Sequence, residues 1–405
     1  TYFSLTIVWT GFVFVTTSMM AGGGLAAGMD FKHIILATLG GNIFLSIIAV
    51  LISIIACKTG LTFALLTRYS FGSSGSKAAS IFVLVVNLGW YTIQAATYGH
   101  FVAQVFHMGQ VGEGLCMAAS AIIMGIFAMF GISAITILGY IAIPAIVFLS
   151  IATAIRSLGV IGGVDALFSY LPAANMPLFT GITAVIGTWV LSTATCIADI
   201  MRYAKDTKTA ISATLTGLLG GNILMIVCGA IAAIAMENSD LTVILLGFGL
   251  VIPSLILMTT NIFTTNAANL YSTSLNLSNA FKMERKKMLA ILLALSALAT
   301  LTKPYEIGFL FTFLNILGTV VPPLSGIILS DYFLVHKGSY AAYDKARFCK
   351  WNPVPWITWA ISIALVYMIP FGLPSLNGII LGAAIYTALM AVNKQRAAGS
   401  IAEEA

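Results

Sequence analysis

The sequence predicts an all-α protein that crosses a membrane many times, and three observations carry that prediction. Of 405 residues, 60% are hydrophobic and only 8% charged, against about 25% charged in soluble domains; mean hydropathy is +1.02. The 19 basic and 13 acidic residues fall in short clusters between apolar stretches of about 20 residues, the length a helix needs to cross a bilayer. Runs such as 34–56 are apolar on every face, whereas a transmembrane barrel shows roughly ten-residue alternating segments. A soluble globule and a barrel are both excluded.

Reading along the chain, twelve helices are expected at 3–28, 33–56, 78–107, 114–131, 132–157, 178–200, 208–235, 243–276, 286–302, 305–333, 353–371 and 375–393. If the amino terminus is cytoplasmic, the segments on that side hold Lys58, Arg68, Lys77, Arg202, Lys205, Lys208, Lys282, Arg285, Lys286 and Lys287, and further on Lys337, Lys345, Arg347, Lys350, Lys394 and Arg396. Only Lys32, Arg156 and Lys303 remain on the other side, together with Glu113, Glu237, Asp240 and Glu306. That is the asymmetry of the positive-inside rule, so both termini are expected in the cytoplasm. The net charge of +6 then reflects orientation and not nucleic-acid binding. Cys57, Cys116, Cys196, Cys228 and Cys349 lack metal-ligand spacing and read as small packing residues. The sequence opens inside an apolar stretch, with neither a signal peptide nor a polar tail, so the natural chain is expected to begin earlier.

The chain also repeats itself. Leu39-Gly40-Gly41-Asn42-Ile43 in helix 2 recurs as Leu219-Gly220-Gly221-Asn222-Ile223 in helix 7, 180 positions later. Pro144 in helix 5 meets Pro322 in helix 10, and the polar stripe around Trp90 meets that around Asn269, at nearly the same offset. A duplicated unit of five helices is implied. Because five is odd, the second copy enters the membrane upside down, giving a five-plus-five inverted repeat. The expected units are 1–157 and 178–333, with helices 11 and 12 (353–393) as an appendage and 394–405 as a cytoplasmic tail.

In such a repeat the first helix of each copy is expected to be interrupted near the midplane, where substrate and ion bind. Helix 1 has Thr16-Thr17-Ser18, then Gly22-Gly23-Gly24 and Gly28; helix 6 has Gly187-Thr188-Trp189, then Ser192-Thr193-Ala194-Thr195. Glycine lowers helix stability by about 1 kcal/mol relative to alanine, although small residues also permit close helix packing in membranes.

On helix 3, Asn87, Trp90, Gln94 and Thr97 share one face. Amides are costly in lipid, so this face should look into the bundle, with Trp90 as a flat surface and the amides as donors and acceptors beside it. The combination fits a planar heterocycle, and Trp189 could supply a second aromatic plate; packing is the alternative for each. Helix 8 carries Asn261, Thr264, Thr265, Asn266, Asn269 and Ser272 with no charge among them. Hydroxyls and carbonyls suit a hard cation, and the interrupted helix 1 would add backbone carbonyls. A proton-driven carrier usually keeps an acid or histidine deep in the membrane, whereas Asp30, Asp199, Glu306 and Asp331 lie near helix ends and His100 lies off the Trp90 face. Sodium is therefore favoured over protons. Asp199 and Arg202 are expected to pair with each other or with a neighbouring loop. No nucleophile triad, phosphate loop or nucleotide motif points to an enzyme.

These residues are also where the chain resembles the nucleobase–cation symporters, on their cytosine permease branch. The similarity includes Lys58-Thr59-Gly60-Leu61-Thr62 to Arg68-Tyr69-Ser70-Phe71-Gly72, Gly89-Trp90, Phe130-Gly131-Ile132-Ser133-Ala134, Thr264-Thr265-Asn266 with Leu270-Tyr271, and Pro322-Pro323 leading to Ser330-Asp331-Tyr332-Phe333. The resemblance implies a five-plus-five transporter of the LeuT type, with sodium held by Thr264, Thr265 and helix 1 backbone. It also implies a nucleobase stacked between Trp90 and Trp189, with amides on helices 3 and 8 reading its edge. The chain departs from that branch at Trp189, Gln94 and Ala267-Ala268-Asn269; the Trp and Gln are more like the family's hydantoin transporter.

The expected function is secondary active import of a nucleobase, with cytosine leading, coupled to sodium by alternating access. The expected substrate contacts are Trp90, Gln94, Asn87, Thr188, Trp189, Asn266, Asn269 and Ser18; the expected sodium ligands are Thr264, Thr265, Asn261 and Gly22. A carrier of hydantoin, a purine base or hydroxymethylpyrimidine, including a proton-coupled one, is the nearer alternative, and a channel or non-transporting sensor the remoter. A monomer is expected, with no nucleic-acid partner; the resemblance implies the bacterial inner membrane.

Overall fold

The computed structural model describes residues 2–127, 132–249, 251–281 and 283–393. Lys282, Lys394, Arg396, the tail 394–405 and the run Phe130-Gly131-Ile132-Ser133-Ala134 lie wholly or largely outside the described residues, as does the side chain of Thr264. Described elements are helical and without strands. In chain order they are α1 (Tyr2–Val13), α2 (Thr16–Ala26), α3 (Phe31–Thr59), α4 (Phe63–Val105), α5 (Gln110–Phe127), α6 (Ile132–Ile161), α7 (Val164–Phe168), α8 (Leu178–Ala194) and α9 (Cys196–Met201). There follow α10 (Thr207–Leu215), a π-helical stretch (Thr216–Asn222), α11 (Ile223–Met236), α12 (Leu241–Gly247), α13 (Val251–Phe281), α14 (Arg285–Thr300), α15 (Ile307–Ser330), a second π turn (Asp331–Val335), α16 (Val354–Met368) and α17 (Pro374–Val392).

The longer helices carry the two faces that a bilayer demands. On α3, Leu36, Leu39, Ile43 and Ile47 are exposed at helical spacing, while Ile34, Ala37, Leu45, Ile48 and Ile52 on the other side are buried. An exposed apolar stripe of this kind is stable against hydrocarbon, not water. The 29 residues of α3 rise about 1.5 Å each, enough to cross a hydrocarbon core of about 30 Å with tilt to spare. Its ends are set locally: Asp30 accepts from the His33 amide at 2.9 Å, and Gly60 closes the helix at φ 70°, a left-handed conformation that glycine takes without strain.

Two elements differ from the sequence expectation. The hydropathy pattern places the start of helix 3 near residue 78, but α4 starts at Phe63, capped by Thr62, and runs on through a sharp bend at Gly72. There φ is 81°, and a Cβ would sit 2.6 Å from the Cys349 carbonyl oxygen. The bend frees backbone groups that the loop before α16 satisfies: Ser73 N donates to Cys349 O at 2.9 Å, Ser74 N to Lys350 O at 2.8 Å and Asn352 N to Phe71 O at 3.1 Å. The second difference concerns helix 1. Its break falls at Phe14 and Val15, where α1 and α2 meet at 45°, not at the glycine run. Gly22, Gly23 and Gly24 are regular helix pressed on neighbours: a Cβ at Gly22 would lie 2.0 Å from Ile226 O on α11, and one at Gly24 2.0 Å from the Phe311 ring on α15. The small residues allow close approach between helices.

Helix 6 is interrupted at Thr195 (φ −131°, ψ −74°) between α8 and α9, inside the expected hydroxyl-rich stretch. On α15, Pro322 lacks the amide that would bond the Gly318 carbonyl, and Ser375 on α17 donates its hydroxyl to that carbonyl instead. α2 packs against α11, α3 against α8, and α15 against both α8 and α17. The two broken helices also touch each other, α2 against α8 and α1 against α9.

Candidate functional site

A narrow cavity of ≈ 30 Å³ lies beside the helix 1 break, room for about two waters. It is lined by Phe12, Val15 and Thr17 from the broken helix, Asn87, Trp90 and Gln94 from α4, Thr188, Trp189 and Ser192 from α8, and Thr265 and Asn269 from α13. None of these residues titrates, so the walls offer aromatic faces, amides and hydroxyls without fixed charge. That chemistry suits a neutral, planar, hydrogen-bonding ligand.

Three of the four residues of the α4 stripe, Asn87, Trp90 and Gln94, reach the cavity. Trp90 is braced by an edge-to-face contact with Phe313 (centroids 5.2 Å, 82°). Gln94 is only 3% exposed, and its Oε1 has no hydrogen-bond partner among the described residues. A buried acceptor left open costs about 1–3 kcal/mol, and here it belongs to a residue that lines the cavity. Thr97, one turn further, turns away: its hydroxyl donates to Ile93 O at 2.8 Å.

On α13, Thr265 and Asn269 are one turn apart and both reach the cavity. Asn261, a turn earlier, does something the sequence does not disclose. Its Oδ1 accepts from Thr16 N at 3.0 Å and its Nδ2 donates to Phe14 O at 3.0 Å. One side chain therefore satisfies a backbone donor and an acceptor on the two sides of the helix 1 break.

Three expected site residues sit elsewhere. Asn266 is turned about 100° from Thr265 on the helix and donates to Tyr91 O at 3.2 Å, toward α4 and α5 and away from the cavity. Ser18 lies behind Trp189, donating to Asn222 Oδ1 at 2.7 Å. Gly22 lies well past the break against α11, so its carbonyl is not at the interrupted backbone where an ion would be held. Phe12, Thr17 and Ser192 line the cavity and are not among the contacts expected from sequence; their signal is position next to a break, in an aromatic or hydroxyl side chain. Thr188 lines the cavity while its hydroxyl donates to Val185 O at 2.6 Å.

Trp189 is held firmly. Its indole nitrogen donates to Asn222 Oδ1 at 3.0 Å and to Ser18 Oγ at 3.2 Å, and its ring packs edge-on against Trp9 and Phe12. Asn222 Nδ2 in turn donates to Asn42 Oδ1 at 2.8 Å. The two asparagines of the repeated five-residue string are thus hydrogen-bonded to each other.

Charged groups gather at the ends of the bundle. Asp199 Oδ1 accepts from Phe63 N at 3.0 Å, so it serves a neighbouring segment, and Arg202 lies over the Tyr203 ring. At the end opposite Asp199, His100 bridges Glu113 (2.9 Å) and Asp240 (3.1 Å) and stacks on Tyr305. Burial works against the Asp240 carboxylate, but hydrogen bonds from His100 and the Thr242 amide, with the His100 charge, outweigh it and hold the group below its ordinary range.

The family model described as permease for cytosine/purines, uracil, thiamine, allantoin matches residues 1–389. The cytosine permease of Escherichia coli (strain K12) is 31% identical over 386 residues, covering 95% of this chain and 90% of that protein. The hydantoin permease of Microbacterium maritypicum is 24% identical, covering 91% and 81%. Among solved structures, the inward-facing conformation of Mhp1 superposes with a TM-score of 0.85 at 20% identity, over 97% of this chain and 91% of that one. Mhp1, a nucleobase-cation-symport-1 family transporter, in a closed conformation with bromovinylhydantoin bound gives 0.80 at 19% identity, over 97% and 92%. The chain is a multi-pass membrane transporter and not an enzyme, and it belongs to the family of permeases for cytosine, purines, uracil, thiamine and allantoin.

Proposed function

We propose that this permease imports cytosine together with sodium by alternating access, through the cavity between α4, α8, α13 and the helix 1 break. The observation that carries the reading is the convergence of Trp90, Trp189, Asn87, Asn269 and the unpartnered Gln94 oxygen on one uncharged space. In this reading the base lies between the two indoles, where stacking is worth about 1–3 kcal/mol per base. Gln94 Oε1 accepts from a ring or exocyclic N–H, and Asn87 and Asn269 read the remaining edge. The ≈ 30 Å³ space must widen as the base enters, which fits a site that forms and closes during the cycle.

Sodium is cargo here. Its ligands are the hydroxyls of Thr264 and Thr265 together with backbone carbonyls at the Val13–Val15 break, in place of Gly22; Asn261 holds those carbonyls in position. Twelve spans in a five-plus-five inverted repeat, 1–157 and 178–333, with 353–393 appended, complete the architecture. The Asn42–Asn222 bond supports it, since equivalent residues of two related units meet at their axis. Helices 5 and 10 act as gates around Pro144 and the Pro322-Pro323 pair, in a monomer of the bacterial inner membrane with both termini cytoplasmic.

A second reading keeps the site and changes the ligand. Trp189 and Gln94 are the positions at which the chain is more like the family's hydantoin transporter, so a hydantoin is the second candidate, in keeping with the similarity to a hydantoin permease. Proteoliposome uptake of labelled cytosine, driven by an inward sodium gradient with potassium as control, separates the readings when unlabelled uracil, hypoxanthine, hydantoin and hydroxymethylpyrimidine compete. Sodium-dependent accumulation blocked only by cytosine supports the first. Absence of cytosine uptake overturns it, and accumulation of labelled hydantoin would establish the second. Trp90→Ala should abolish uptake while the protein still expresses and folds.

A further inference from the structure

We propose that Asn222 is a positioning residue for substrate binding, fixing the Trp189 indole and the Ser18 hydroxyl with one carbonyl oxygen and anchoring that grip to α3 through Asn42. The inference rests on the cavity being the substrate site and adds a residue that does not line it.

The hydrogen bonds leave one consistent assignment. An indole N–H can only donate, so the Asn222 atom 3.0 Å from Trp189 Nε1 must be its oxygen. Ser18 then donates to the same oxygen at 2.7 Å and accepts from the indole at 3.2 Å. The Asn222 nitrogen therefore faces Asn42, whose oxygen receives it at 2.8 Å, and the Asn42 nitrogen donates to Thr38 O at 2.8 Å. A weaker bond, 3.4 Å, runs from Asn222 Nδ2 to the Thr188 hydroxyl. Every donor and acceptor of the Asn222 amide is used. It is fully buried, as is Asn42, in surroundings where an unmet polar group is expensive.

The two copies of the repeated string differ in backbone. Leu39-Gly40-Gly41-Asn42 is ordinary α-helix, yet the same four residues at 219–222 lie in a π-helical stretch. A π turn inserts a residue and rotates the next turns of the helix by roughly 100° relative to an unbroken one. One string thus adopts two backbones, and the π copy is the one that turns its asparagine onto Trp189. The indole and Ser18 belong to the two interrupted helices, α8 and α2, so a single amide ties the aromatic wall of the cavity to both of them.

The test is a double-mutant cycle between Asn222→Ala and Trp189→Phe, read as KM and maximal rate in proteoliposomes. The probe is labelled cytosine or, where the wild type accumulates it instead, labelled hydantoin. Phenylalanine keeps a ring but has no N–H to position. Asn222→Ala should raise KM about tenfold in the wild type with the maximal rate changed less than twofold, and by less than twofold in the Trp189→Phe background. Asn222→Ser, which keeps a polar group, replaces alanine in the cycle if Asn222→Ala does not reach the membrane folded. An equal KM penalty in both backgrounds, or a loss confined to thermal stability and maximal rate, overturns the inference. If Trp90→Ala also leaves KM unchanged, it is the substrate site itself that is misplaced; if Trp90→Ala abolishes uptake while Asn222→Ala leaves KM untouched, only the role of Asn222 falls.

Discussion

Replacing Gln94 by leucine should make the protein more stable and less able to bind its substrate. The side chain is 3% exposed and its Oε1 finds no partner among the described residues. Leucine keeps most of the volume and removes the unmet acceptor, so folding should gain about 1–3 kcal/mol. At roughly 2–4 °C per kcal/mol for a domain of 150–250 residues, and less for a longer chain, Tm in detergent should rise by about 2–5 °C. A substrate N–H that bonded the oxygen is instead buried without a partner, at a similar cost of about 1–3 kcal/mol. At about 1.4 kcal/mol per decade, that is roughly a 5- to 150-fold increase in KM. Thermal unfolding by size-exclusion chromatography and uptake kinetics on one preparation read both signs. A lower Tm with unchanged KM would refute the reasoning, because Gln94 would then be part of the scaffold.

Three other perturbations probe the frame around the cavity. Asn261→Ala leaves Thr16 N–H and Phe14 C=O without their partner; at about 1–3 kcal/mol each the loss should be about 2–6 kcal/mol, visible as a fall in Tm. Gly22→Ala places a Cβ 2.0 Å from Ile226 O, so α2 and α11 must part, at about 1–3 kcal/mol for overpacking; the half-saturating sodium concentration of the folded fraction should stay at the wild-type value. Asp240 is held below its ordinary range, so its contribution is present above the unfolded value of about 3.9 and is lost as pH falls through the lower folded value. With His100 charged below its unfolded value of about 6.5, the Tm difference between wild type and Asp240→Asn should hold near pH 5 and shrink below about pH 4 as Asp240 is protonated; a difference growing on acidification from pH 5 would reverse the sign.

The helical membrane fold was legible because lipid imposes a coarse rule, about 20 apolar residues per span, and it holds for α3, for the continuous stretch Thr207–Met236 that ends in α11, and for α15 alike. The α4 stripe was legible for a related reason: residues 87, 90 and 94 share a face whatever the tertiary structure. What sequence could not resolve was direction among neighbours. Polarity says that Asn266 and Ser18 avoid lipid; it does not say that one meets Tyr91 and the other Asn222, because several helices offer a partner. The break in helix 1 was displaced for a similar cause, since glycine serves both interruption and close packing, and Gly22 serves the second. The His100 cluster was invisible because its members come from α4, α5 and two distant loops, joined only in space.

If the permease couples sodium to cytosine as proposed, the row Asn261, Thr265 and Asn269 on α13 would carry that coupling. These residues lie one turn, about 6 Å, apart on one face. The first grips the broken backbone, and the next two reach the cavity. A sodium ion between Thr265 and the break would hold α13 against α1 and α2, and so hold Asn269 and Thr17 at the spacing the substrate meets. Such coupling is a free energy, typically about 1–3 kcal/mol or 5- to 150-fold, and it is reciprocal. Removing the Thr265 hydroxyl should therefore lower the factor by which sodium tightens cytosine binding, and lower by an equal factor the effect of cytosine on sodium binding. Equilibrium binding of each ligand with and without the other, in wild type and Thr265→Ala, measures both. Unequal factors would mean that the two titrations do not report one equilibrium. A Thr265→Ala protein in which sodium keeps its full effect would place the ion away from this row, and the link from α13 to the break would then be structural only.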